Sequence, residues 1–216
     1  MANFTDLREQ MVEQQIERRG IDNAALLAAF RAVPREDFVD PEQLDHAYED
    51  RPLPIPAGQT ISQPYVVALT IDAAEIGAGD KVLEVGAGSG YAAAVIGQIA
   101  HRVFAIERHH ELAELAAQRI ERLRYGNVRI VEGDGTLGCP TEAPFDAIVA
   151  AASGSHIPRA LLDQLKPGGR LVMPMGSQLW SQSLIKVTKR ADGTIEREDL
   201  GAVRFVPLIG AEGHAD

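Results

Sequence analysis

The pentapeptide Gly86-Ala87-Gly88-Ser89-Gly90 follows the apolar run Lys81-Val82-Leu83-Glu84-Val85 and precedes a helix-like stretch from Tyr91 to Ala100. Glycines between a strand and a helix permit a tight turn and let backbone N–H groups at the helix start approach a ligand. The spacing is G-x-G-x-G and not the G-x-G-x-x-G of dinucleotide binders, because Tyr91 and Ala92 follow Gly90. Glu107 closes the next strand-like run, 21 residues beyond Gly86, where a carboxylate can accept hydrogen bonds from both hydroxyls of a ribose. Gly133-Asp134-Gly135 closes the third run, where a carboxylate or a neighbouring amide can meet the amino group of adenine. Either acid alone is an ordinary turn residue. With the glycine loop, at the ends of successive strands, the two outline a nucleoside site.

These groups need a parallel sheet to hold them. From Lys81 onward, strand and helix alternate: strands at 81–85, 102–107, 128–132, 145–150 and 170–173, and helices at 91–100, 111–124 and 158–165. Such alternation specifies a doubly wound, Rossmann-like α/β fold with helices on both faces of a mostly parallel sheet. Ahead of it, Leu7, Met11, Val12 and Ile16 fall on one face of a helix over 5–19, which Gly20 ends. Asn23 caps a second helix, and Pro64 opens a third at its first turn. Between them, Pro52, Pro54 and Pro56 predict an extended path with neither helix nor ladder pairing. After Gly176 the pattern turns to strands, with Ala191-Asp192-Gly193 as a hairpin turn. A single domain is expected over 1–216: a helical cap and substrate loop (1–63), a cofactor-binding core (64–176) and a β-rich C-terminal segment (177–216).

Composition narrows the partners. The formal charge is −10, a surface that phosphate backbones repel. Arg119, Arg122, Arg124 and Arg129, the densest basic stretch, read as one solvated helix face. No apolar run approaches the ~18 residues of a membrane span, and Met1 to Asp6 lacks the features of a signal peptide. Cys139 is the only cysteine, which excludes an internal disulfide and reads as a small buried residue beside Pro140. A cytoplasmic monomer without nucleic-acid or membrane partners is expected. His109 and His110 have no acid or cysteine at ligand spacing, so no metal is expected.

The stretch Val82 to Gly90, with Glu107 and Asp134, resembles the first motif and the ribose and adenine contacts of class I methyltransferases that use S-adenosyl-L-methionine (AdoMet). The acceptor atom can be narrowed on chemistry. After the fourth strand of the core stands Ala150-Ala151-Ala152-Ser153-Gly154, without the Asn/Asp-Pro-Pro-aromatic set of enzymes that methylate amide or base nitrogen. A phenol, with a pKa near ~10, needs a base, whereas a carboxylate, near ~4, is ionised already. The shortage of candidate bases fits carboxyl methylation.

A longer resemblance agrees. Gly58-Gln59-Thr60-Ile61-Ser62-Gln63-Pro64-Tyr65 is similar to the diagnostic stretch of the protein-L-isoaspartate O-methyltransferases. The likeness extends through 11–15, 33–39, 48–54, 133–135, 162–171 and 203–208. It implies methylation of the α-carboxylate of L-isoaspartyl, and to some extent D-aspartyl, residues in damaged proteins. The ester then closes to a succinimide that hydrolyses partly to aspartate. It also implies a catalytic Ser62 and cofactor contacts from Thr60, Ile61, Ser62, Glu84, Gly86, Gly88, Ser89, Gly90, Glu107, Gly133, Asp134 and Gly135. The peptide would meet Thr60, Tyr65, Val206, Pro207 and Leu208, with backbone pairing to 206–208.

Three alternatives stay open on the sequence: an enzyme dedicated to one peptide, a silent AdoMet-binding module and, for Ser62 alone, a helix N-cap ahead of Pro64. Ser153-Gly154-Ser155-His156 and the Gln178–Gln182 stretch depart from the family pattern and are expected to affect peptide selection only.

Overall fold

The computed structural model describes residues 3–176 and 181–215. Helix α1 (Phe4–Met11) continues through a π-helical turn at Val12–Ile16 and a 3-10 turn at Glu17–Arg19. Gly20, at φ 94°, stops it in the left-handed conformation that side chains resist. The Asn23 side chain accepts from the N–H groups of Ala25 and Leu26, so α2 (Ala24–Ala32) starts where expected. Two short 3-10 turns lead to strands β1 (Leu53–Ile55) and β2 (Gln59–Ile61), then α3 (Pro64–Ala73).

The proline stretch corrects one expectation. β1 and β2 do form an antiparallel ladder, with Pro54 opposite Thr60 between the pairs Leu53–Ile61 and Ile55–Gln59. In a two-stranded ribbon, alternate residues turn their N–H outward, so a central proline need not cost a ladder bond.

The core alternates as read: β3 (Lys81–Val85), α4 (Tyr91–Gly97), β4 (Arg102–Glu107), α5 (His110–Arg122), β5 (Val128–Glu132), β6 (Phe145–Ala150), α6 (Arg159–Asp163) and β7 (Leu165–Met175). Helix α6 is shorter than expected because Leu165 already pairs with Phe145 and enters the sheet. β8 (Gln182–Lys189) and β9 (Ile195–Val203) complete it, joined at Arg190–Thr194, where Arg190 N–H donates to Thr194 O (2.8 Å). The strand order is β5-β4-β3-β6-β7-β8-β9, parallel from β5 to β7 and antiparallel beyond. β4 lies on one side of β3 and β6 on the other, which opens a crevice at the C-terminal ends of β3 and its neighbours.

Alternate residues of each strand feed two apolar clusters. Val82, Val103, Ala105, Ala147 and Val149 pack with the cap, α3, α4 and α5, so the cap shares a core with the sheet. Leu83, Val85, Phe104, Ile106, Ile148 and Leu171 pack with α6 and Leu208 on the opposite face. Among the described residues, no helix is long and apolar enough to cross a membrane.

Candidate active site

The glycine loop leaves β3 as a sharp turn. Gly86 and Gly90 have φ of 89° and 87°, and a side chain at Gly90 would also press on Ala116 of α5. Gly86 and Ala87 both donate to Ile106 O (2.8 and 2.9 Å), tying the loop to the neighbouring strand. Glu107 finishes the clamp: its carboxylate accepts from Gly88 N–H (2.8 Å) and from His109 N–H (3.0 Å). A carboxylate has about four acceptor sites, so Glu107 retains capacity for ribose hydroxyls beside these two bonds. Arg119 lies half-buried and donates to Ser89 O (3.3 Å). It therefore braces the loop and does not belong to a solvated face, while Arg122 pairs with Asp37 of the cap.

A cleft of about 560 Å3, counting its open mouth, runs along this loop. Gly86, Gly88, Ser89 and Glu84 form one side, and Thr60, Ile61 and Ser62 form the other. Glu84 is only 2% exposed, and its Oε2 has no hydrogen-bond partner. Burial, then the nearby charge of Glu107, pushes its carboxyl well above the usual range. A buried acid facing a cleft with one oxygen unpartnered is suited to a cationic ligand group.

A second groove adjoins the first and shares Thr60, Ser62, Val66, Ala151 and Phe205 with it. Its far wall is 202–206 with Ser181 and Gln182. Ser62 lies where the two meet. It is not the cap of α3: Gln63 holds that position, and Val67 N–H donates to Gln63 O. Ser62 is held from the other side, where its carbonyl accepts from Arg35 Nη2 (2.8 Å). The Arg35 guanidinium is fully buried, lies 4.8 Å from the centroid of the Tyr91 ring, and burial lowers its pKa. Burial likewise raises the Tyr91 hydroxyl to about 12, against the opposing pull of Arg35.

Other expected contacts are placed differently. Tyr65 lines neither cleft; its ring lies under Arg19, 3.3 Å from centroid to guanidinium carbon. Two of the backbone groups of 206–208 are already engaged, since Ser153 N–H donates to Val206 O and Leu208 N–H to Ser153 O, both at 2.8 Å. Pro207 has no N–H to offer, and the Leu208 side chain belongs to the core. Only Val206 of the three lines the groove. The Ser153–His156 departure thus supports the C-terminal segment, and 177–180 lie outside the described residues.

Asp134 is also engaged. Thr136 N–H and Oγ1–H donate to its Oδ1 (2.9 and 2.7 Å), and Ala211 N–H donates to Oδ2 (2.7 Å). Partial burial raises this carboxyl, but the bonds from Ala211 and Thr136 outweigh it and leave it below the usual range. Gly133 and Asp134 line a shallow pocket with Gly210, separate from the main cleft. Gly135 is buried against Val85, where a side chain would collide at 2.6 Å.

The sequence reading left Phe205 out of the site and named Gln182 only as the end of the departing Gln178–Gln182 stretch. The Gln182 side chain, almost fully buried, accepts from Phe205 N–H (2.7 Å) and donates to Phe205 O (3.2 Å). Only the position of Phe205 beside Val206 pointed to it.

Comparison with known proteins agrees with this geometry. The profile of the protein-L-isoaspartate(D-aspartate) O-methyltransferases matches residues 6–213. The chain belongs to this family. Protein-L-isoaspartate O-methyltransferase 2 of Pelobacter propionicus is 54% identical over 95% of this chain and 92% of its own. The protein-L-isoaspartate O-methyltransferase of Brucella anthropi is 50% identical over 100% and 99%. Among solved structures, a protein-L-isoaspartate O-methyltransferase superposes with a TM-score of 0.87 at 30% identity, over 95% of this chain and 67% of that one. A Plasmodium falciparum protein assigned to the same activity, in complex with S-adenosyl-L-homocysteine, gives 0.81 at 27% identity, over 94% and 98%.

Proposed function

We propose that the two adjoining clefts form one methyl-transfer site, with Ser62 at the junction where cofactor and peptide meet. The chain is an AdoMet-dependent methyltransferase of L-isoaspartyl residues, and its product ester leads to repair through a succinimide. When bound, AdoMet supplies a sulfonium methyl already activated for transfer. The residues of the chain supply alignment, which can contribute ~7–11 kcal/mol toward such a barrier.

The cofactor fits the first cleft on its donor set. Glu107 and the glycine-loop amides suit a ribose and the main body of the ligand, and Glu84 suits the ammonium group of its amino-acid part. Ser62 holds the substrate carboxylate by its hydroxyl, and Val206 and Phe205 cover the peptide. No base is required, because the acceptor is ionised at neutral pH. The cap, sheet and C-terminal segment act as one catalytic unit, since each contributes a wall.

The observation that carries this reading is that Thr60 and Ser62 line both clefts. Tritiated methyl transfer to unrelated isoaspartyl peptides and their aspartyl twins tests it. Methylation of many isoaspartyl sequences and of almost none of the twins is expected; equal rates would falsify it, and activity on one sequence alone would mark a dedicated enzyme. Ser62→Ala is expected to lower turnover at least about tenfold with cofactor affinity and thermal midpoint unchanged, because it removes one aligned hydrogen bond.

A further inference from the structure

We propose that Arg35 is a positioning residue for methyl transfer, acting through Ser62 from behind the cleft wall. This rests on the role assigned to Ser62 above. Arg35 follows Pro34 in the cap and is completely buried. Nε donates to Ala47 O and Nη2 to Ser62 O, both at 2.8 Å, so one rigid fork joins the cap to the Ser62 main chain. The Tyr91 side chain lies against the guanidinium and lines the cofactor cleft.

The neighbouring cap arginine provides a contrast. Arg8 pairs with Glu36 at 3.2 Å, bonds Tyr48 and holds Arg31 O, as a cation that secures packing should. Among the described residues Arg35 makes no ion pair; it holds two carbonyls and lies against Tyr91. An apolar side chain of similar length would fill the space without the cost of desolvating an unpaired charge. What it could not do is fix the Ser62 carbonyl. The pairing leaves the Ser62 side chain free for the cleft junction and places an unneutralised positive charge behind the site that receives a carboxylate.

A double-mutant cycle on the full chain separates this role from simple packing. Arg35→Met is expected to lower kcat by about ten- to hundredfold, the scale of a small misalignment at the reacting group. Affinity for S-adenosylhomocysteine, measured by calorimetry, should stay within about threefold, because of the cofactor cleft's lining Arg35 meets only the Ser62 carbonyl and Tyr91, and not the glycine loop, Glu84 or Glu107. In a Ser62→Ala background the same change should cost less than about threefold more, since the two act as one unit. Equal losses in both backgrounds, or an undiminished kcat in Arg35→Met, would overturn the proposal while leaving the role of Ser62 intact. If Ser62→Ala itself turns over normally, both fall together. Should Arg35→Met fail to fold, Arg35→Lys takes its place in the cycle; it keeps the charge but cannot span both carbonyls, and the same non-additive loss is expected.

Discussion

The two halves of the site are built in different ways. The cofactor half is local: the glycine loop, Glu84 and Glu107 lie on two adjacent parallel strands, β3 and β4, and brace one another through short backbone bonds. The peptide half is assembled from distant segments: the β1–β2 hairpin, the start of α3, the turn after β6 and the chain from 202 to 206. Strand ends in one parallel sheet are held by the sheet itself. In the peptide half only Gln182, Ala202 and Val203, at the ends of β8 and β9, have such a frame, and the rest depends on side-chain clamps, Arg35 behind Ser62 and Gln182 behind Phe205. The cofactor half should therefore tolerate changes at its rim, and the peptide half should be sensitive to residues that touch no substrate.

The largest effect expected comes from removing the C-terminal segment. Truncation after Arg204 deletes Leu208 from the core and takes Ala211 from Asp134. Loss of the leucine alone should cost on the order of 2–5 kcal/mol. A lowered thermal midpoint and weaker S-adenosylhomocysteine binding should both accompany the loss of peptide methylation. A truncated chain with unchanged melting and cofactor affinity would make 205–215 a substrate cover only, and the two halves independent.

Next in size is Glu84→Gln, which sets stability against binding. The folded-state pKa of Glu84 is raised by burial and by Glu107. Its stabilising contribution is complete below the usual carboxyl range and is lost as pH rises through the raised folded value. The glutamine variant, always neutral, should gain in thermal midpoint over the native chain across that window and then hold its advantage. AdoMet affinity should instead fall by about 1.5–3 kcal/mol at high pH, where the native acid is ionised and meets the ammonium as a charged acceptor. Melting and calorimetry over a pH series measure both. A pH-independent stability difference would remove Glu84 from this account.

Glu107→Ala follows. It removes the clamp on Gly88 and His109 together with the ribose acceptor, and about 1–3 kcal/mol of AdoMet affinity should go with it. Undiminished affinity in calorimetry would leave Glu107 as a brace only.

The same contrast governs what was legible in the sequence. The alternating sheet, the glycine loop and the strand-ending acids follow from periodicity and spacing, because consecutive elements in this fold are neighbours. The peptide half was reached through family likeness, and three of its expected residues, Tyr65, Pro207 and Leu208, do not line the groove. Tyr65 closes the Gly58–Tyr65 stretch as the second residue of α3, and its ring lies under Arg19 and on neither cleft. Residues 206–208 resemble a strand open to a peptide, but Ser153 already holds Val206 O and Leu208 N–H. Arg35 fell within the family likeness at 33–39 but with no role attached, since an arginine in a cap sequence reads as surface until the fold encloses it. A groove shared across more than a hundred residues, as by Thr60 and Ser62 with the chain from 202 to 206, leaves no spacing to read.

Gln182 offers the smallest effect and the finest test of the peptide half. Its amide holds both the N–H and the C=O of Phe205, the residue that walls both clefts. Gln182→Ala leaves those two backbone groups without their partner, and water entering from the groove can replace it only in part. The net cost of one such pairing is about 0.5–1.5 kcal/mol. With Phe205 covering substrate as proposed, away from the reacting carboxylate, that cost should appear in peptide KM, raised by about two- to twelvefold, with kcat nearly unchanged. S-adenosylhomocysteine affinity should shift less, since the cofactor cleft keeps the β3 and β4 wall. A fall in kcat at constant KM would mean that Phe205 aligns the reacting groups, and the clamp would then belong with Arg35 among the positioning residues.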